Sequence, residues 1–569
     1  MTGGVFTSPP LTEFNVTVDG QAVAVTRSGF RRRAVSVPPQ VRDLRVESRL
    51  FLRLAAPVPE GAVVVVTNPG AALWPAGFSF AITASPLRLS HAIHVNQEGY
   101  TTTLPKQVMI GYNLGSLGEL PLNPALGFSL VETGSGNTVF SGPLTRRADA
   151  GFTMAPLPYQ EVLQADFSAW QTPGEYRLQV PGLGASLPFL IADGMAMNFT
   201  RAYALGIYQQ RSGAPVGLPF SRHSHAASHL APAQVPVPSA SFVKAWQNIA
   251  SVNGNYNLNP RHTAPRLATE ADQLFPFINA SHIDVSGGHY DAGDYSKYTI
   301  NSAQMLHYLT FAVDSMPGVA ALDNLGLPES GDGISDVLQE AMHEAAFLSK
   351  MQDADGGFYF LVYPKERKYE DNVLPDQGDP QIVYPKNTSA TAAATAALAE
   401  LASSPTFQNL YPALAASYLQ KANLGWQFLL NAIATYGKDG CYQKITHYGD
   451  VFMHDDELAW AACAIFLATG DANAHSLLRT WYDPSDRNTR RWTWWRLFEA
   501  YGCATRSYAF AVSSGRRTAG ETDAAYLTKC RNEVQGAGDY ALTNSLNSAY
   551  GTGFDSASKR TRSAGWYFS

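Results

Sequence analysis

The stretch Asp284-Val-Ser-Gly-Gly-His-Tyr-Asp-Ala-Gly-Asp-Tyr-Ser-Lys-Tyr298 gathers Asp284, Asp291, Asp294, Tyr290, Tyr295, Tyr298, His289 and Lys297 in one short run. Gly287, Gly288 and Gly293 interrupt any regular element, so the sequence predicts a tight loop of specific shape. Asp291 and Asp294 stand three residues apart on this bent backbone and can converge on one small target. If that target is water, both can accept its protons and one can act as general base. Two like charges held close also raise one pKa into a working range for a base. If the target is a cation, the loop is a metal site, although calcium loops carry more oxygen ligands at alternating positions. A third reading is a network of aspartates bonded to their own backbone. Chemistry alone leaves all three open.

Two other groups invite a similar question. His223, His225 and His229, with Ser228 beside them, have a spacing that could bind zinc, or they form a solvated His-rich loop. Trp492, Trp494 and Trp495 lie between Arg491 and Arg496, as a helix buried on one face or a distal sugar platform. Cys441, Cys463, Cys503 and Cys530 show neither CxxC nor Cys-His spacing, so buried free thiols are expected.

The elements that must position these residues fall into three zones. A chain of 569 residues, 45% hydrophobic and 15% charged, has material for several buried cores and is not a disordered polymer. Phe14, Val16 and Val18 alternate with polar residues, and Asp19-Gly20 supplies a hairpin turn before Ala22–Val25. Leu50, Leu52 and Leu54 alternate again ahead of Val63–Thr67, giving a small β-sandwich over 1–90. A second β zone runs from Ile93 to Ile191, punctuated by Gly and Pro. Beyond Asp193 helical spacing takes over: Met195–Arg211, then Ala303–Met316, Ile334–Met351, Ser389–Leu401, Pro412–Ile433, Asp455–Leu467, Arg491–Tyr501 and Thr522–Val534. Ser212–Ser241 reads as a long loop.

The loop resembles the signature of glycoside hydrolase family nine, the inverting cellulases. Gly333-Ile-Ser-Asp-Val-Leu-Gln-Glu340, Lys350-Met-Gln-Asp-Ala-Asp-Gly-Gly357, Thr388-Ser-Ala-Thr-Ala and Asp456-Glu-Leu-Ala-Trp460 follow in that family's order. Ile93–Tyr100 resembles the start of the immunoglobulin-like module that often precedes such domains. The resemblance implies an (α/α)6 barrel with an open sugar cleft. It assigns Asp294 as general base and Asp291 as the residue that helps hold the attacking water. It also places Tyr290, His289 and Tyr298 at the substrate, with loop packing as the other reading of the tyrosines. His289 stands where the family usually carries Trp, which bears on preference near the cleavage point.

Inverting hydrolysis also needs a protonated carboxyl, roughly 6.5–9.5 Å from the base, to serve the leaving oxygen. The family's acid is a Glu that follows a His- and Arg-containing loop, and neither motif is found after Cys530. With fewer helices read than six α/α pairs need, the expectation is a chain ending in mid-domain without its acid. Glu457 is the internal candidate, although acidic residues at a helix start commonly serve its dipole. In some relatives the matching Asp-Glu pair binds calcium, and Cys stands where this chain has Ser212 and Ser228.

The sequence therefore predicts a multidomain protein: a small β-sandwich over 1–90, an immunoglobulin-like β-sandwich over 91–193, and an incomplete (α/α)6-barrel catalytic domain over 194–569. It would cleave β-1,4-glucosidic bonds in cellulose or related β-glucans. The alternatives are an exo-acting β-glucosidase or glucosaminidase of the same fold, or a non-catalytic carbohydrate-binding protein. No cofactor is required and no metal ligands are assigned; calcium is left open. Net charge is −6 without basic runs, so neither nucleic acid nor membrane is an expected partner. The resemblance points to an extracellular or periplasmic protein, whereas MTGGVFTSPPLTEF shows no signal peptide.

Overall fold

The computed structural model describes residues 9–36, 45–148, 161–235, 275–279, 281–291, 295–364, 380–443, 445, 453–486, 500–551 and 553. Two compact units divide the chain: residues 1–199 with 539–569, and residues 200–538.

In the first unit, Asp19 and Gly20 adopt positive φ, 48° and 78°. They join β1 (Asn15–Val18) to β2 (Gln21–Ala22) in the two-residue hairpin that Asp-Gly favours. β3 (Val25–Ser36) and β4 (Arg45–Leu54) pair as a separate ribbon, while β5 (Val63–Thr67) and β6 (Ser79–Thr83) complete a sheet in the order β2-β1-β5-β6. The alternation of Leu50, Leu52 and Leu54 does not produce a buried face: Leu50 is exposed, because a two-stranded ribbon cannot cover a face by itself. Farther on, β7 (Ile93–His94), β8 (Gln107–Ile110), β11 (Leu144–Arg146) and β12 (Leu163–Asp166) form one antiparallel sheet. β9 (Phe128–Glu132), β10 (Thr138–Gly142), β13 (Gly174–Val180), β14 (Gly184–Ala185) and β15 (Phe189–Ile191) form another. Val108, Ile110 and Leu163 from the first share one apolar cluster with Leu130, Tyr176 and Leu178 from the second. Period-two burial along β13 (Tyr176, Leu178, Val180) is the direct cause.

Helices dominate the second unit. α1 (Met195–Gln209) leads into it, followed by α2 (Thr299–Ser315), α3 (Asp336–Lys350), α4 (Thr388–Ala402), α5 (Pro405–Leu410) and α6 (Pro412–Tyr436). α7 (Asp455–Thr469), α8 (Ala472–Trp481), α9 (Tyr501–Ala509) and α10 (Ala524–Asn547) complete the series among the described residues. α4 is the central helix: every residue of it is buried, and its many alanines let α2, α6 and α7 pack close around it. Asn387 caps it, its Oδ1 accepting the Ala390 N–H at 2.8 Å. α8 was not foreseen, since only Ala474 and Leu478 of it are buried and so short a pattern is weak. The expected helix Arg491–Tyr501, with its tryptophans, lies outside the described residues except at Ala500 and Tyr501, where α9 begins.

A five-stranded sheet bears on the site. β16 (Ala233–Gln234), β17 (His282–Ile283), β18 (Lys297–Tyr298), β19 (Leu361–Pro364) and β20 (Gln381–Val383) run in the order β17-β16-β20-β19-β18. The acidic loop thus starts from one edge strand and returns at the opposite edge, so both of its ends are fixed.

Candidate active site

Between those edges the chain makes a close turn. Gly287 and Gly288 have φ of 86° and 70°, a region that L side chains rarely adopt. A Cβ at Gly288 would come within 2.6 Å of Phe347 Cδ1 on α3, so the backbone there lies directly on a helix. The other side of the segment pairs with residues 210–212. Ser212 N–H donates to Gly288 O at 2.7 Å, Tyr290 N–H to Gln210 O at 2.9 Å, and Arg211 and His289 are bridge partners. Lys297, fully buried, donates to the Val285 and Gly287 carbonyls and lies 4.2 Å from the Phe347 ring centroid.

This packing settles where most of the side chains go. Tyr290 is buried, its hydroxyl bonded to Ser228 and its ring 4.9 Å from Tyr295. Tyr298 is buried too, against Phe360 and Leu361. His289 lies inside with both ring nitrogens engaged: Nδ1 with Glu344 at 2.5 Å and Nε2 with Glu340 at 2.6 Å. His289, Tyr290 and Tyr298, expected at the substrate, are thus all buried, and for the two tyrosines this is the loop packing that was the other reading. A glycine-bent loop on a helix turns its large side chains inward, because burying them is favourable. Asp291 behaves differently. It is exposed, its N–H bonds Ser296 O at 2.8 Å, and its carboxylate accepts from the Asn301 amide at the start of α2. Asp294 lies outside the described residues.

The ionic cluster beneath the loop was not read from the sequence. Arg211 Nε donates to Glu340 Oε1 at 2.9 Å, a second guanidinium nitrogen reaches Glu340 Oε2 at 2.6 Å, and Arg211 also pairs with Glu329. Burial by itself lowers the His289 pKa, but the two glutamates outweigh it and hold the imidazole up at about 9. Burial raises the Glu340 pKa, and His289 and Arg211 overcome that to bring it down to about 2. His343 is half-buried, and its desolvation together with these cations brings its pKa down to about 4. The available signal was Glu340 and Glu344, four apart on the apolar face of α3, where buried carboxylates require partners.

Among the described residues, the other candidate groups have partners of their own. His225 bonds two backbone carbonyls through its ring nitrogens, while His229 is buried against Ser212 Oγ at 3.1 Å. Glu457 is buried at the start of α7, and its neighbour Asp456 accepts the Ala500 N–H at 2.7 Å. Glu457 thus stands in the first turn of α7, among its acidic residues. Among the described residues no three His, Cys, Asp or Glu side chains are grouped to hold a metal. The four cysteines are buried and free.

In chain order, a two-sheet β-sandwich comes before a helical unit, whose acidic loop is braced on a helix and carries the exposed Asp291. The family model for glycosyl hydrolase family 9 matches residues 199–562, and that for the cellulase N-terminal ig-like domain matches residues 89–185. The chain belongs to glycosyl hydrolase family 9. It is similar to endoglucanase D of Acetivibrio thermocellus, 27% identical over 319 residues, covering 55% of this chain and 44% of that protein. It is also similar to a xyloglucan-specific endo-beta-1,4-glucanase of Bacteroides ovatus, 26% identical over 407 residues, covering 69% and 60% respectively. The chain thus spans less than two thirds of the length of these relatives. A metagenome-derived glycoside hydrolase family 9 endoglucanase of known structure shares the fold, with a TM-score of 0.60, 24% identity, and coverage of 81% of this chain and 75% of that one. No helix among the described residues is long and apolar enough to cross a membrane.

Proposed function

We propose that the chain carries the water-activating aspartates of an inverting glycoside hydrolase acting on β-1,4-glucosidic bonds of cellulose or a related β-glucan, outside the cell or in the periplasm. The division into β modules over 1–90 and 91–193 and an (α/α)6 barrel from 194 belongs to this reading. Asp294 acts as general base on a water molecule, and Asp291 helps to hold that water. The observation that carries it is Asp291, an exposed carboxylate on a loop whose preceding residues, Gly288 to Tyr290, are buried. Such a loop presents charge to solvent from a fixed backbone, as a base acting on a bound water requires. No described residue is assigned as the general acid, and no cofactor enters the reaction. Endo action is preferred over exo because the relatives named above are endoglucanases.

The test uses an aryl β-cellobioside whose good leaving group needs little acid assistance, with EDTA present throughout. The wild-type chain should release the α-anomer, seen by proton NMR. Asp294→Asn should lower kcat by about 10²–10⁴-fold, the span of a positioned base, with circular dichroism unchanged. Release of the β-anomer, or full activity in the variant, would sink the assignment. Binding of cello-oligosaccharide without any turnover would favour the non-catalytic reading.

A further inference from the structure

We propose that His289 is a positioning residue that fastens the backbone leading to Asp291 onto α3, and so sets where that carboxylate stands. This rests on the reading of Asp291 given above. The fastening is a closed circuit of contacts. Arg211 and His289 face each other across a backbone bridge, and their side chains meet again on one oxygen, Glu340 Oε1, at 2.9 Å and 2.6 Å. Glu344, one helical turn along α3, takes the other imidazole nitrogen at 2.5 Å. A ring bonded at both nitrogens to carboxylates of one helix can neither flip nor slide along it. Two residues later the chain emerges to solvent at Asp291. The charged and titratable groups around the ring are Glu340, Glu344 and His343 on α3, with Arg211 and, through it, Glu329.

A second feature separates a clamp from simple packing. Gly288 already lies against Phe347, and the 210–212 pairing already fixes the opposite side, so the loop has other anchors without His289. What the imidazole adds is fixation at the residue nearest Asp291 on the α3 side. Its loss should therefore loosen the carboxylate more than it weakens the fold.

The experiment compares the full chain with H289Q, E344Q and H289Q/E344Q. Amide hydrogen exchange of peptides spanning 286–298 should accelerate at least tenfold in H289Q. On the aryl β-cellobioside, kcat should fall at least tenfold with KM within twofold; E344Q should fall severalfold, and it keeps a side chain of the same shape should H289Q not fold. The double variant removes the uncompensated buried charge, so its Tm should recover while kcat stays low. Unchanged exchange and kcat in H289Q, or recovery of kcat together with Tm in the double variant, would overturn the proposal. If the wild-type chain shows no hydrolysis at all, the functional reading fails, and the exchange measurement alone decides whether the clamp exists.

Discussion

Two buried histidines on carboxylates invite comparison. Under the acidic loop, His289 sits between Glu340 and Glu344; in the helical core, His307 of α2 bonds Glu400 of α4 through Nδ1 at 2.7 Å. The core cluster also draws in Trp460 and Ser507 on Glu400, and a buried Arg516–Asp314 pair at 2.7 Å. The surroundings of the second ring nitrogen separate them. His289 faces oxygen acceptors at both nitrogens, which demands two protons and a cation. His307 receives Arg506 at Nε2, at 3.2–3.3 Å, and a guanidinium can only donate. Burial lowers the His307 pKa, and Cys503 and Glu400 raise it to about 9 overall, yet the Arg506 bonds require Nε2 to be unprotonated. The bonding pattern favours the neutral ring. The same pair of residue types therefore makes an ionic clamp at one place and a neutral core hydrogen bond at the other.

The largest effect that tests this contrast belongs to the core. Asp314→Ala leaves Arg516 buried without its carboxylate, which should cost about 3–5 kcal/mol. Urea unfolding measures it, and the variant that remains folded should keep its kcat. A comparable loss of kcat would erase the distinction between the two clusters.

Next comes pH. The folded His289 pKa of about 9 exceeds the ordinary 6.5. Its stabilisation is thus complete below about pH 6.5 and fades as pH rises through 9. Glu340, held near 2 against an ordinary 4.5, contributes fully above about pH 4.5 and loses its share toward pH 2. Tm should decline between pH 6.5 and 9, and H289Q should flatten that slope. H307Q should leave the slope as it is, because a neutral ring releases no proton in that window. A flattened slope in H307Q would show that His307 is also charged.

The smallest effect marks the outer edge of the loop. Lys350 and Asp284 pair at 2.8 Å with Asp284 more than half exposed. Lys350→Met should cost less than about 1 kcal/mol and leave kcat within a factor of two. A larger loss would mean that the loop is held from outside rather than by the cluster beneath it.

Much was legible in local pattern. The Asp-Gly hairpin at 19–20, the period-two burial of β13 and helices α2, α3, α4, α6 and α7 follow from spacings within a few residues. The acidic loop announced itself through glycines and aspartates close in the chain. Helix ends moved by a few residues where the last turns are exposed, and α8 escaped because it buries so little. The burial of Tyr290 and Tyr298 was not legible, because a list of types along a loop does not say which side faces the core.

What the sequence determined by itself is therefore the order of β modules and helices, the family, and the loop on which Asp291 and Asp294 stand, all of them local properties. Only the tertiary structure decided the partners of that loop. Glu340 and Glu344 lie 51 and 55 residues beyond His289, and Glu400 lies 93 beyond His307. Packing of one element on another brings such residues together, and no short-range periodicity encodes which buried charge will meet which.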